Sequence, residues 1–475
     1  MTSNEISTPA DSPTQSASAD GVATTTSLPP FGELAVMLTG TLVLPGDPGW
    51  PAASSAWNLA VPQRPAAVVV AESAADVVTA VRFALRHHIR VSAQPGGHGA
   101  TTALDDTILI RTRGLADIWI DADNAIARVG AGVKWVELQS ALDGTGLTGP
   151  MGSSGDVSVT GFFLGGGLSM FGRTTGVGAH AVRAAEVVDG LGRHRWIDDS
   201  SDPELMWALR GGGGDFAIVT AVELSLTAAP EISGGRLVFP ATDAPTVWRA
   251  YAEITGTAPD ELTLFASMLH FPPIPELPEE IRGQSLCAVD AVYLGSVDAL
   301  DALLVPIRAA GIVVRDTVRP LAPGEVGTVC EEPDDPSPAY LGTTTLGRFD
   351  DDVIDTILAR AATPACGVLQ VQIRHLGGAL LTPSENAVCR RITAAYSVMA
   401  MTMVPVPEAM PAAHASVAAI LADVEEFYGG PLSVSMLGDN DPLAAAFSPE
   451  VIARLRVAKN AADPDGVFRS SRPVI

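Results

Sequence analysis

The chain has 475 residues, 47% of them hydrophobic and 17% charged, a composition that folds and buries a large core, and a length that suggests roughly two to three domains. Lys and Arg number 29 against 54 Asp and Glu, a net charge of -25, which argues against a nucleic-acid or anionic-membrane partner because both need basic excess. The acidity does not point to a cationic substrate, since surface charge of this kind mostly serves solubility.

Residues 1–30 are rich in Ser, Thr, Ala, Pro and Asp and read as a disordered tail. They lack the basic start and apolar stretch of a secretory signal, and no later run approaches the ~18 apolar residues of a membrane span, so a cytoplasmic location is expected. A turn at Gly46-Asp47-Pro48-Gly49 precedes a β-rich run, Pro65 to Ala71. Ser73 with Asp76 forms a capping pair. Val77, Val81, Ala84, Leu85 and His88 then make a helical stripe. That helix feeds a strand from Ile89 to Ala93, which runs into Gln94-Pro95-Gly96-Gly97-His98-Gly99-Ala100. The next strand is Thr107 to Thr112, so this part reads as a β-α-β unit with a glycine loop. Glycine leaves the His98 ring unshielded and allows a ligand to approach the backbone closely.

Hairpins are expected about Ala122-Asp123-Asn124 and about Asp189-Gly190-Leu191-Gly192. Between them lies an amphipathic helix with Trp135, Leu138 and Leu142, ended by Gly144. A glycine- and hydroxyl-rich segment follows, Ser153-Ser154-Gly155-Asp156-Val157-Ser158-Val159-Thr160-Gly161, then Leu164-Gly165-Gly166-Gly167. Such segments expose backbone N–H groups that can cradle a pyrophosphate without a lysine. The P-loop, Rossmann and serine-hydrolase patterns are all missing: no Gly-Lys-Ser/Thr, no G-x-G-x-x-G between strand and helix, no G-x-S-x-G. A helix from Asp202-Pro203 stops at Gly211 to Gly214, and Phe216 to Leu226 alternates like a half-buried strand.

Beyond Ala229-Pro230, β-like runs (237–239, 262–269, 286–294, 369–373, 398–404 and 432–437) alternate with helices. They suggest an antiparallel sheet backed by helices over 230–439. The segment 440–475, with Asp463-Pro464-Asp465-Gly466-Val467-Phe468-Arg469, looks like a return into the first domain, 31–229. Cys287, Cys330, Cys366 and Cys389 are widely spaced with no C-x-x-C, which favours buried apolar roles over zinc or a disulfide framework.

Taken in order, the Gly-Gly-His loop, the Ser/Gly segment with Leu-Gly-Gly-Gly, Glu186-Val187-Val188-Asp189-Gly190, Trp207-Ala208-Leu209-Arg210 with its glycine run, and the Asp-Pro-Asp-x-x-Phe-Arg tail resemble the flavin oxidoreductases of the vanillyl-alcohol-oxidase type. Within them, the pattern is that of the berberine-bridge-enzyme-like group. The resemblance is dense over about 35–226 and thinner over 440–475. It implies an α+β fold: a PCMH-type FAD-binding domain of two α/β subdomains plus an antiparallel-sheet substrate domain. It also implies FAD joined through a His98 ring nitrogen to its 8α carbon. Relatives often carry a second, cysteinyl link at the position of Ser154; a hydroxyl is a poor nucleophile, so one bond is expected. Val157 stands at the position that gates oxygen, and valine there resembles the oxygen-reactive members. An oxidase acting on an alcohol, amine or C–H carbon of a small organic or secondary-metabolite molecule and yielding peroxide is therefore expected. A dehydrogenase of the same fold and a flavin-bearing non-redox cyclase or binding protein are the alternatives.

By the same resemblance the cofactor should run past Gln94, Pro95, Gly96, Gly97, Gly99 and Ala100. It should continue past Ser153, Gly155, Asp156, Thr160, Gly161 and Gly165, with Ile218 near the adenine. Gln94 replaces a usual Arg, Thr175 a Tyr, His180 an Asp and Asp215 an Asn. The tyrosine that relatives place on the strand before the tail is absent from Leu432-Ser433-Val434-Ser435-Met436-Leu437, and Ser435 takes the place of an asparagine beside it. A base must then come from elsewhere, with Tyr293, Tyr340, His375 and Tyr396 as candidates, or the substrate needs none.

Overall fold

The computed structural model describes residues 29–438 and 441–474; of the expected N-terminal tail, residues 1–28 lie outside the described part. The β-α-β unit forms around the helix Ala74–His87. Ser73 Oγ accepts from the Asp76 N–H at its start, and it ends where His88 turns left-handed at φ 53°. Its apolar stripe (Val77, Ala80, Val81, Ala84) is fully buried against Val69, Val91, Ile108 and Ile110. Val91–Ala93 and Ala67–Val70 lie parallel on either side of Ile108–Arg111, and Thr41–Val43 closes the edge antiparallel.

A second, five-stranded antiparallel sheet follows in the order Ile118–Asp121, Ile126–Gly130, Ile218–Ser225, Val182–Val188, His194–Asp198. The C-terminal chain closes on the first sheet: Val91 N donates to Val467 O (2.7 Å) and Arg469 N to Val91 O (2.9 Å). Asp463 fixes that return. Its carboxylate accepts from the N–H groups of Val467 and Phe468, while buried Lys459 Nζ donates to Asp463 (2.7 Å), Asp215 O (2.6 Å) and Phe468 O (3.0 Å). Asp215 in turn accepts from Ser470 N and Val474 N.

The large sheet is antiparallel throughout. Its order is Arg315–Asp316, Ile232–Pro240, Ser285–Tyr293, Leu262–His270, Gln370–His375, Tyr396–Met403, Ala339–Leu346, with Arg319–Leu321 also paired to Ile232–Pro240. The helices Ala244–Thr255, Val297–Ala309, Asp351–Ala361 and Met410–Asp423 cover one face, burying Trp248, Tyr251, Leu264, Val289, Ile373 and Val398. Side chains alternate across a strand, so Phe265 and Val292 point the other way and join the core that holds Trp135, Phe163 and Met170. The expected strand at 432–437 does not form. Pro431 removes a ladder donor, Ser433 and Ser435 bond each other side chain to side chain (2.8 Å), and Val434–Met436 makes a single 3₁₀ turn. Among the described residues no helix is long and apolar enough to cross a membrane.

Candidate active site

Two segments meet at the C-terminal end of Val91–Ala93. The glycine loop is forced by its backbone: Gly97 has φ +98°, and a Cβ there would lie 3.0 Å from both Ala56 Cβ and Gln94 Cδ, so only glycine fits. The Ser/Gly segment is laid beside it by the chain around Lys134, where Trp135 N donates to Val157 O and Val136 N to Gly155 O, both at 2.9 Å. Ser158 Oγ then caps the short helix Val159–Leu164 through Gly161 N (2.9 Å). The segments touch at Pro95 and Gly161, where Pro95 Cγ is 3.7 Å from a Cβ position on the glycine, and at His98 and Asp156.

His98 Nε2 lies 3.5 Å from Asp156 Oδ2, an ion-pair distance without hydrogen-bond alignment. Lys134 Nζ donates to the other oxygen of the same carboxylate. Burial pushes the Asp156 pKa up, but the facing His98 and Lys134 more than offset it and hold the carboxyl below its ordinary value, ionised. The indole of Trp57 stacks on the imidazole at 4.2 Å between ring centres and 17° between planes. Ser154 Oγ, buried, accepts from Asp156 N (3.3 Å).

Beneath the loop, Gln94 is buried and its Oε1 accepts from Arg111 Nη1 at 2.8 Å. Arg111 also donates to the carbonyls of Gln94, Ala53 and Ser55; burial lowers its pKa to about 10. Gln94 Nε2, His98 Nε2 and Thr160 Oγ1 are buried with no hydrogen-bond partner among the described residues. Buried polar atoms ordinarily carry partners. Three unbonded ones on two facing glycine segments fit a long polar ligand such as a flavin nucleotide. A hollow of about 160 Å³ opens behind the loop, lined by Ser54, Ala56, Leu59 and Gln63 among others. A separate hollow, about 650 Å³ between Thr356, Arg360, Cys366 and Asp423, lies in the outer helical layer on none of these residues.

The sequence candidates for FAD contact thus converge, Gln94 to Ala100 against Ser153 to Gly161. Gly165 adjoins Ser435, whose N–H donates to Gly165 O (2.9 Å). Ile218 stands apart from them, its side chain buried in the first core beside Val188, Val467 and Phe468.

None of the candidate bases faces this site. Tyr396 packs among the helices, its hydroxyl bonded to Thr255 Oγ1 (2.8 Å) and its pKa raised by burial. Tyr340 stacks on His414 of Met410–Asp423 at 4.0 Å, and Tyr293 packs on the same helical side. His375 stacks on Tyr396, and its Nε2 accepts from Arg173 Nη1 (3.0 Å). Burial first, then the Arg173 charge, lowers the His375 pKa to about 3, so the ring is neutral and its acceptor is occupied. All four point to the helical face because their registers match Val398, Ile373, Gly342 and Ala291 on the same strands.

The opposite face carries side chains that the sequence reading missed. Gln370, Gln372 and Arg374 alternate there beside Ser397, Met399 and Met401 of the neighbouring strand. Arg374 Nε donates to Gln372 Oε1 (2.6 Å), its guanidinium lies over Phe265 (4.7 Å), and Glu332 is 4.0 Å away. Thr343 Oγ1 donates to Met436 O, tying this face to the 433–436 turn and through it to Gly165. Trp57, Arg111 and Lys134 were missed as well. The period-2 pattern of 370–374 could have revealed the sheet residues; only tertiary pairing reveals Lys134.

The FAD binding domain family model matches residues 65–198, which hold both glycine segments. An uncharacterized FAD-linked oxidoreductase of Bacillus subtilis is 28% identical over 322 residues, covering 66% of this chain and 67% of the relative. The (R)-6-hydroxynicotine oxidase of Paenarthrobacter nicotinovorans is 26% identical over 446 residues, covering 91% of this chain and 96% of the relative. The solved structure of Physcomitrella patens BBE-like 1 superposes with a TM-score of 0.80 at 16% identity, covering 94% of this chain and 99% of that one.

Proposed function

We propose that this chain, an FAD-dependent oxidoreductase on the berberine-bridge-enzyme-like fold, is an oxidase. It takes a hydride from an alcohol, amine or C–H carbon of a small organic molecule while FAD is held covalently through His98 alone. The observation that carries this reading is the meeting of the His98 loop with the 153–161 segment, with unbonded polar atoms on both and the small apolar Val157 between Asp156 and Ser158. A relative matched over nearly its whole length is named an oxidase, which favours the same chemistry. Bound FAD would accept the hydride at N5 and hand two electrons to dioxygen, giving peroxide.

The protein's part is positional. His98, Gln94 and Thr160 hold polar edges of the cofactor. Gly97 lets the loop pass close to it. Arg374, held by buried Gln372, offers the substrate one polar anchor on a face made apolar by Met399 and Met401. Tyr340, Tyr396 and His375 are withdrawn as bases, so the substrate's proton leaves to water or to a group on this face.

Anaerobically photoreduced holoprotein mixed with aerated buffer tests the reading. Reoxidation within seconds, with one peroxide per flavin, is the expected result. Reoxidation over many minutes would make the protein a dehydrogenase instead. A flavin that dithionite reduces but no alcohol or amine does would favour the non-redox alternative.

A further inference from the structure

We propose that Arg374 is the specificity-determining residue of the substrate face, and that the substrate it selects carries a carboxylate on an apolar body. This rests on the reading that places the substrate on that face and goes beyond it, because it assigns the charge of the group that is held.

The chain from Gly327 to Ser337 ties Arg374 to the flavin site. A Cβ on Gly327 would lie 3.0 Å from Gly155 N, so this chain starts against the 153–161 segment. Further along, Glu332 Oε1 comes to 4.0 Å from an Nη of Arg374. At the far end Ser337 N donates to the carbonyl of Trp57, whose indole stacks on His98. The loop beside Arg374 thus touches both of the segments that would hold the cofactor.

The guanidinium is held in place but not saturated. Its Nε donates to Gln372 Oε1 at 2.6 Å, and Gln372 is itself buried, so one edge of the fork is fixed. The buried ring of Phe265 lies under it at 4.7 Å. Nη1 and Nη2 make no hydrogen bond among the described residues, and 4.0 Å to Glu332 is beyond hydrogen-bond reach. An arginine keeps its charge, and its two Nη groups match the two oxygens of a carboxylate. Neighbouring cations are already engaged: Arg236 is bidentate to Asp290 at 2.6 and 3.0 Å, and Lys134 bonds Asp156. Phe265, Met399 and Met401 supply the apolar surroundings for the rest of the molecule.

Glu332 sharpens the selection. Its neighbour Glu331 bonds Arg236 and Arg315, at 3.3 and 2.5 Å, whereas Glu332 makes no hydrogen bond among the described residues. A substrate carboxylate meets its like charge there, so it binds only by making the bidentate contact that Glu332 does not make. An ammonium group in the same place would meet the guanidinium head-on.

The test is calorimetric titration of the holoprotein with ligands matched in shape: butyrate with butyramide, hexanoate with hexanamide, phenylacetate with phenylacetamide, and benzylamine as the cation. At least one acid should bind at least about tenfold more tightly than its amide. Arg374→Met should abolish that difference while leaving the amide's Kd unchanged, and Arg374→Lys should keep part of it, since an ammonium retains the charge but not the fork. Glu332→Gln should tighten the acids and not the amides. Equal binding within every pair, no binding of any acid, or tighter binding of benzylamine than of phenylacetate overturns the proposal. If Arg374→Met fails to fold, Glu332→Gln decides: tightening confined to the acids supports the proposal, and unchanged or weaker acid binding overturns it. These titrations do not involve oxygen. Slow reoxidation of the flavin would fail the oxidase reading and leave the anchor, whereas equality of acid and amide removes the anchor and leaves the oxidase reading.

Discussion

His375 and His98 carry the same side chain and are put to opposite uses by their surroundings. His98 is half-exposed among glycines, with a carboxylate behind it. His375 is buried, stacked on Tyr396 and bonded to Arg173, which also donates to Leu262 O (2.9 Å) and Leu376 O. Its pKa falls from an ordinary 6.5 to about 3. The folded state therefore binds fewer protons than the unfolded chain below pH 6.5, and stability is lost as the pH falls from there towards 3. In His375→Gln the fall of Tm between pH 6.5 and 4 should be shallower than in wild type, and the rate of flavin reduction by substrate should stay within about threefold. A loss of reduction rate with bound flavin intact would return His375 to the chemistry.

At the scale of elements, the glycine loop depends on the strand next to it. Arg111 ends Ile108–Arg111, and the adjacent strand Val91–Ala93 delivers Gln94 to its guanidinium. No carboxylate pairs with Arg111 among the described residues; carbonyls of Ala53, Ser55 and Gln94 satisfy it instead. Arg111→Leu leaves the buried Gln94 carbonyl and Gln94 Oε1 without their donor, so it should lower the unfolding free energy by roughly 3 kcal/mol and weaken FAD binding together with it. Urea unfolding of the FAD-free variant checks the first part, and an unchanged midpoint would contradict it.

The same scale explains what could be read from the sequence. The β-α-β unit was legible because its cap, its apolar stripe and its glycine loop are all local signals: the helix expected from Ser73 onward runs Ala74–His87. Local signals also gave the hairpins about 122–124 and 189–192. Tyr340, His375 and Tyr396 were misplaced because a chemically apt residue on a strand points to one of two faces, and only the packed helices decide which is buried. The run 432–437 looked like a strand by composition, but Pro431 and the Ser433–Ser435 bond turn it into a 3₁₀ turn. Lys134 and Trp57 carry no signal, since what brings them to Asp156 and His98 is pairing between distant segments.

Over the whole molecule, the site lies where the packed sheets are tied together. Lys459 and Asp463 pin the C-terminal chain beneath the His98 strand. Trp57, which stacks on His98, belongs to a stretch clamped to the second unit: Ser337 N donates to Trp57 O (3.1 Å) and Leu59 N to Ser337 O (3.2 Å). The turn at 433–436 joins Gly165 to the large sheet through Ser435 and Thr343. A flavin on His98 would be fixed at the junction of all three. The most direct measurement is therefore to acid-precipitate the purified yellow protein, digest it and weigh the peptide that contains His98. The account predicts that this peptide is heavier by one FAD, with the modification on His98 and none on the peptide containing Ser154. An unmodified His98 peptide with all flavin released into the acid supernatant would contradict it.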